Sequence, residues 1–371
     1  MATVYLCIGT MKTGTSAIQA FMRNNKKALA EQGYCYPKIK KWGRNTVNRN
    51  AYFLVYEPLS EQDPSVQSVW EEGMQEIEKL SKEYENIVLS DEIIWHHSGK
   101  KEHFWERVRD AFEQIGCEVK IVVYLRRQDE LVQSLWNQNV KSERRWNIKF
   151  DDFIEKRKYR YFPLNYYKRL NEIAKVMGKE NIIVRVYEKQ QYEGGSLISD
   201  YATTLGIQLN EQFRMMHVVN NLSLKGNFVE LRRMINGVPA YKSMPDYLHD
   251  TLTKVSSEKI EEGTEAKMSF FDYEEQVAFM KKYESSNEKV AREFLGREDG
   301  RLFYSPVEKR KKYQPDNKEM LEDFIHFSVV YMCQQEQKIE ALEKKLADDL
   351  QKKDSGLAKK AYRKLKRMVK K

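Results

Sequence analysis

Gly9-Thr10-Met11-Lys12-Thr13-Gly14-Thr15-Ser16 places two glycines, one lysine and the hydroxyls of Thr13, Thr15 and Ser16 in a single short turn. A turn of this kind that opens a helix aims backbone N–H groups and the positive end of the helix dipole at one point, which makes an anion site. The glycines keep the G-x-x-x-x-G spacing of a nucleoside-triphosphate loop. The residue after the second glycine is Thr15, where that loop requires lysine. A triphosphate loop directs its lysine at the β/γ-phosphates and gives a hydroxyl to Mg²⁺. Lys12, inside the turn, suits a shorter, diphosphate-like group and needs no metal. The plainer alternative is an ordinary strand–turn–helix connection with a surface lysine.

Two further segments carry charge to matching places. Val122-Val123-Tyr124-Leu125-Arg126-Arg127 ends an apolar run with two arginines, and Ser134 follows eight residues after Arg126 on the next expected helix. An arginine at a strand's carboxyl end and a serine about two helical turns on can meet on one phosphate, at the sheet edge where ligands bind. Alone, the pair also reads as surface arginines. Beside the first loop it points to a nucleotide with two separated anionic groups. Leu89-Ser90-Asp91-Glu92 closes another short strand with two carboxylates. Either is a candidate base, and each raises the pKa of the other. Asp91 or Ser90 also reads as a helix cap. His96 and His97 follow closely and read as polar loop residues before they read as a base.

The elements that must hold these residues follow from periodicity. Thr3–Ile8, Asn86–Ser90, Val119–Leu125 and Asn181–Tyr187 are short apolar runs of strand length. Helical patterns lie between them, at about Thr15–Ala30, Val66–Tyr84, His103–Ile115, Asp129–Lys141 and Tyr166–Met177, with another near Ser196–Leu205. Such alternation predicts an α/β fold, a P-loop-type parallel β-sheet flanked by helices on both faces. Residues 1–315 form this domain. Gln208 to Pro306 is mostly helical and less regular. A long helix is expected over 316–351, where Ile339, Leu342, Leu346 and Leu350 make a brief heptad-like stripe. Two heptads fall short of a coiled coil, so packing back on the body is expected.

At this point the chain resembles the sulfotransferases that use 3′-phosphoadenosine 5′-phosphosulfate (PAPS), in particular bacterial carbohydrate sulfotransferases. Gly9–Ser16 is similar to their 5′-phosphosulfate loop, and Tyr124–Ser134 to their 3′-phosphate segment. The stretch Asn287–Gly296 looks like the carboxyl-terminal helix of bacterial members, so the likeness spans roughly residues 1–305. The resemblance implies that Lys12, Thr13, Gly14, Thr15 and Ser16 hold the 5′-phosphosulfate and that Arg126 and Ser134 hold the 3′-phosphate. It implies a Ser-x-Glu signature in which Glu92 is the catalytic base, with Lys12 stabilising the leaving oxygen, and no metal. The products would be PAP and a sulfated hydroxyl of a carbohydrate or glycan. Some relatives carry a histidine between the first helix and second strand; here that region reads Lys40-Lys41-Trp42-Gly43-Arg44-Asn45 and has none. Trp42, Arg44, Arg49 and Tyr52 read as contacts to a sugar or anionic acceptor, or as a solvated loop.

Asn86–Glu92 equally looks like a Walker B strand. A P-loop kinase or ATPase using Mg-ATP is therefore the competing enzyme, with Asp91 on Mg²⁺ and Glu92 orienting a nucleophile. The missing lysine after Gly14 argues against it. A non-catalytic nucleotide-binding scaffold is the third reading.

Composition sets the outer limits. The chain has 371 residues, of which 41% are hydrophobic and 12% aromatic, and only eight are proline. That excludes global disorder and a disulfide-dense mini-domain. The net charge of +9 matches the surplus of residues 352–371, where ten Lys/Arg stand against Asp354 alone. The remaining 351 residues are neutral, so no specific nucleic-acid surface is expected. Leu357, Ala361, Tyr362, Leu365, Met368 and Val369 recur at helical spacing among those lysines and arginines. This basic amphipathic tail is expected to lie on an anionic membrane, with a solvated polyanion-binding tail as the alternative. Met1–Ile8 lacks a basic leader, and the four cysteines have neither metal-ligand nor redox spacing. The expectation is a cytoplasmic enzyme, peripheral at the inner membrane face.

Overall fold

The computed structural model describes residues 1–39, 49–55, 64–215, 224, 226–242, 248–261 and 269–352. Most of the basic tail (353–371) and the Lys40–Asn48 part of the acceptor loop lie outside the described residues. The chain divides into two compact units. One comprises Met1–Gln138, Ile148–Asn221 and Met268–Lys312; the other comprises Asn139–Asn147, Leu222–Lys267 and Tyr313–Lys371.

The first unit is built on five strands: β1 (Ala2–Gly9), β2 (Tyr34–Cys35), β3 (Asn86–Ser90), β4 (Cys117–Leu125) and β5 (Ile182–Val186). They lie in the order β2-β3-β1-β4-β5, and every pairing is parallel. Leu6 stands level with Leu89 on one side and Ile121 on the other. The central strands are apolar on both faces because both faces are covered. Helices α1 (Thr15–Asn24) and α2 (Lys26–Ala30) follow β1. Next come α3 (Pro64–Leu80), α4 (Ile93–His97), α5 (Phe104–Gln114), α6 (Gln128–Lys141), α7 (Phe150–Glu155), α8 (Tyr166–Met177) and α9 (Leu197–Leu205). Ile18, Phe21 and Met22 of α1, Leu29 of α2, and Tyr201 and Leu205 of α9 pack on Cys7, Val88, Val122 and Tyr124 of the sheet. The alternate positions Leu6, Leu89, Ile121 and Val123 face the other way. On that side α4 packs on β1, and α5 on β4 and α8.

The expected Thr15–Ala30 helix is two helices. Asn25 breaks it: its side-chain amide donates to Phe21 O (2.9 Å) and accepts from Arg214 N (2.7 Å). A short polar side chain that bonds backbone in this way competes with the helix ladder. β2 was not foreseen; two residues at a sheet edge carry no readable period.

The second unit contains α10 (Gly226–Asn236), α11 (Pro239–Lys242) and α12 (His249–Glu261). α13 (Tyr273–Lys281) and α14 (Glu284–Leu295) belong to the first unit, and α15 (Glu319–Lys352) to the second. Buried Asn227 donates to Asp323 Oδ2 (2.7 Å) and accepts from the Tyr313 hydroxyl (3.0 Å), which ties α10 to α15. Packing of the heptad stripe, expected on the body, is not seen for Ile339, Leu342 and Leu346 among the described residues; Leu350 lies outside them. Ile339, Leu342 and Leu346 are exposed, because α15 turns a different side inward, carrying Asp323 and Phe327.

Candidate functional site

The carboxyl ends of β1, β3 and β4 are neighbours, so Gly9, Asp91 and Arg126 begin from one sheet edge. Gly9 leaves β1 with φ +119°, a conformation closed to L side chains, and a Cβ there would sit 3.3 Å from Glu92 O and from Met11 N. The first glycine therefore lets the turn lie directly on the Glu92 backbone. Gly14, at φ +74°, would drive a Cβ to 2.3 Å from Leu197 Cδ2 and 3.4 Å from Tyr187 Cε2. Between them Lys12 is held at φ +66°. A left-handed non-glycine residue costs on the order of 1–3 kcal/mol and persists where its surroundings over-determine it. Those surroundings are visible: Arg126 Nη1 donates to Lys12 O (2.9 Å), and Lys12 Nζ donates to Gln138 Oε1 (3.3 Å).

Thr13 is buried, and its hydroxyl donates to Thr10 O (2.5 Å), so that hydroxyl shapes the turn. α1 starts at Thr15 with Gly14 as its N-cap, no side-chain cap and no acidic residue in its first turn. Its first N–H groups and dipole are thus left for an external anion. Thr15 and Ser16 stand in that first turn, half-buried and exposed respectively.

Arg126 and Arg127 do different work. Arg127 is buried, doubly bonded to Asp129 (2.8 and 3.0 Å) and donating to Ser305 O and Pro306 O (3.1 and 3.0 Å). It is a brace. Arg126 is partly open, faces the Tyr187 ring at 5.4 Å and pairs with Glu130 Oε2 (3.2 Å). That pair is a solvent-accessible ion pair, worth at most about 1 kcal/mol. An anion that takes a charge-assisted bond from Arg126, about 1.5–3 kcal/mol, would outweigh it. Ser134 lies one helical turn before Gln138, on the same face of α6. Lys12 is therefore joined to Arg126 through its carbonyl and to Gln138 of α6 through its ammonium. Gln138, Tyr187 and Leu197 were missed from sequence. The i, i+4 step from Ser134 would have found Gln138, and the carboxyl end of β5 would have found Tyr187.

At the end of β3 the two carboxylates separate in role. Asp91 is buried; its Oδ1 accepts from Arg49 Nε and Nη2 (3.0 and 2.6 Å) and from Ile93 N (2.9 Å), the first N–H of α4. Its Oδ2 is buried without a hydrogen-bond partner among the described residues. Burial outweighs Arg49 and pushes the Asp91 carboxyl up to about 6. Glu92 is half-buried beside the loop, and its Oε2 likewise has no partner among the described residues. His96 is pushed down to about 4 by burial first and by nearby Lys100, which makes it a weak base. Cys7, bonded to the Tyr201 hydroxyl (3.0 Å), is pushed up to about 12 by burial and is inert at neutral pH.

The raised Asp91 pKa has a measurable consequence. The folded state holds this proton more tightly than the unfolded chain, so the Asp91 contribution to stability is full below about pH 4. It is lost as pH rises through about 6. Asp91→Asn is expected to gain stability relative to wild type as pH rises from 4 to 7. Urea midpoints of both proteins across that range test it; a stability of Asp91→Asn that falls relative to wild type between pH 4 and 7 contradicts the assignment.

Among the described residues, no group of three or more His, Cys, Asp or Glu side chains is placed to hold a metal ion, and no helix is long and apolar enough to cross a membrane. No known protein-family profile matches the chain. An uncharacterized protein of Archaeoglobus fulgidus is 33% identical over 177 residues, which is 48% of this chain and 46% of that protein. The match thus spans less than half the length of that relative. Among solved structures, the chain is similar to a sulfotransferase from Alicyclobacillus acidocaldarius, with TM-score 0.37 and 16% identity, over 59% of this chain and 87% of that one.

Proposed function

We propose that this protein transfers a sulfuryl group from PAPS to a hydroxyl of a carbohydrate or glycan acceptor. The observation that carries the reading is the linkage of the two cations: Arg126 Nη1 lies 2.9 Å from the carbonyl of Lys12. The ammonium inside the first turn and the guanidinium at the tip of β4 thus share one edge. The donor set suits a doubly anionic adenosine nucleotide: open helix N–H groups, Lys12, the Thr15 and Ser16 hydroxyls at one end, Arg126 and Ser134 at the other.

In the proposed reaction the acceptor oxygen forms a bond to sulfur as the bond from sulfur to the phosphate oxygen breaks. The acceptor proton passes to the Glu92 carboxylate. Lys12 holds the negative charge that accumulates on the leaving phosphate oxygen. Positioning and electrostatic stabilisation supply the acceleration.

A kinase or ATPase would use Asp91 on Mg²⁺. Arg49 already donates twice to Asp91 Oδ1, so this carboxylate has a cationic partner without a metal. Calorimetry with PAP, ATP and ATP–Mg²⁺ separates the two. PAP is expected to bind without added metal and more tightly than ATP; binding of ATP–Mg²⁺ with none of PAP overturns the proposal. Arg126→Ala is expected to weaken PAP binding by roughly 10- to 100-fold, the equivalent of one lost charge-assisted bond. Unchanged affinity in that variant removes Arg126 from the site.

A further inference from the structure

One long apolar stripe in the second unit has no partner within the described residues. On α15, Ile325, Met332, Ile339 and Leu346 recur every seven residues, and all four are exposed. Written as heptad position a, they place Leu321, Ser328, Gln335 and Leu342 at position d, where Leu321 and Leu342 are each 66% exposed. The stripe runs from 321 to 346, about 39 Å of helix. The side that packs inside the unit is the opposite one. Asp323 and Phe327, both buried, fall at positions f and c, about half a turn of the helical wheel away from the a/d seam. α15 therefore carries a second, apolar face whose a positions and outer d positions are open among the described residues, with Ser328 and Gln335 between them half-buried.

The flanking charges identify what the second face fits. Position e carries Glu322, Val329, Glu336 and Glu343; position g carries Phe324 and Tyr331, then Lys338 and Lys345 in its carboxyl-terminal half. In a parallel pair of helices, g meets e of the next heptad on the partner, so Lys338 faces Glu343 of the second copy, twice by symmetry. In an antiparallel pair, g meets g and e meets e, which sets lysine against lysine and glutamate against glutamate. Among the described residues, neither Lys338 nor Glu343 forms an ion pair within its own chain. Gln335 and Ser328 at d set polar groups opposite their own copies and penalise a shifted register. We infer that α15 is the dimerisation helix of this protein, forming a parallel, in-register two-stranded coiled coil with a second copy of the chain.

This does not depend on the proposed activity. Analytical ultracentrifugation of the full chain is expected to give twice the monomer mass of 44.1 kDa, with dissociation on dilution. Ile339→Glu with Leu342→Glu is expected to give monomer. Glu343→Lys alone is expected to weaken dimerisation on the order of tenfold, and Lys338→Glu in the same chain to restore it. Ile339→Cys in a Cys333→Ser background is expected to cross-link under oxidation, because equivalent a positions meet in a parallel pair. A wild-type monomer at all concentrations overturns the inference, as does a dimer indifferent to Ile339→Glu with Leu342→Glu. Failure of the charge swap to restore pairing overturns the parallel arrangement.

Discussion

Lys12→Ala is expected to lower turnover of PAPS by about 10²–10³, the typical effect of removing one preorganised group that stabilises developing charge. The geometry makes this a test of chemistry more than of folding. The bond that braces the turn runs from Arg126 to the backbone carbonyl of Lys12, so truncating the side chain leaves it in place. What is lost is the ammonium, which Gln138 holds at 3.3 Å. PAP affinity should therefore fall far less than turnover. Lys12→Arg should not rescue fully, since a broad planar guanidinium replaces a compact charge in a tight turn. Release of labelled sulfate from PAPS to water provides a readout that needs no acceptor. Turnover within threefold of wild type in Lys12→Ala would show that the leaving oxygen is stabilised elsewhere.

How far the site could be read in advance depends on the range of the interaction that fixes each residue. The Gly9–Ser16 turn was legible because its conformation is written locally, in glycine spacing between a strand period and a helix period. The strand at Asn86–Ser90 was legible for the same reason, and its observed bounds coincide with the expected ones. Asn25 was not, since besides its local bond to Phe21 O its side chain is held by the carbonyl and amide of Arg214, 189 residues on. Arg126 and Arg127 differ in ways their adjacency hides. Ser305 and Pro306 arrive from across the fold to bury one and leave the other available. Asp91 and Glu92 stand side by side in the sequence, yet only Asp91 has its Oδ1 engaged, by Arg49 and Ile93 N, which belong to different segments. The α15 stripe was truncated to two heptads because its first half mixes Ser328 and Gln335 with apolar residues. Only the exposure of Ile325 and Met332 joins that half to the rest.

Glu92→Gln is expected to keep PAP affinity within about twofold while lowering turnover to a hydroxyl acceptor by about 10²–10⁴, the range for a lost general base. The backbone of Glu92 is fixed against the loop, since its carbonyl and Cα lie 3.3 and 3.4 Å from where a Cβ on Gly9 would stand. Gln reproduces the shape, so the nucleotide end should not notice the change. It cannot accept the acceptor proton at neutral pH, and the neighbouring groups are poor substitutes. Asp91 already accepts three hydrogen bonds on one oxygen, and His96, pushed down to about 4, has little proton affinity. Asp91→Asn should consequently cost less turnover than Glu92→Gln. The reverse order, with Glu92→Gln near wild type, would move the base to Asp91 and leave Glu92 as the residue on which the phosphate turn rests.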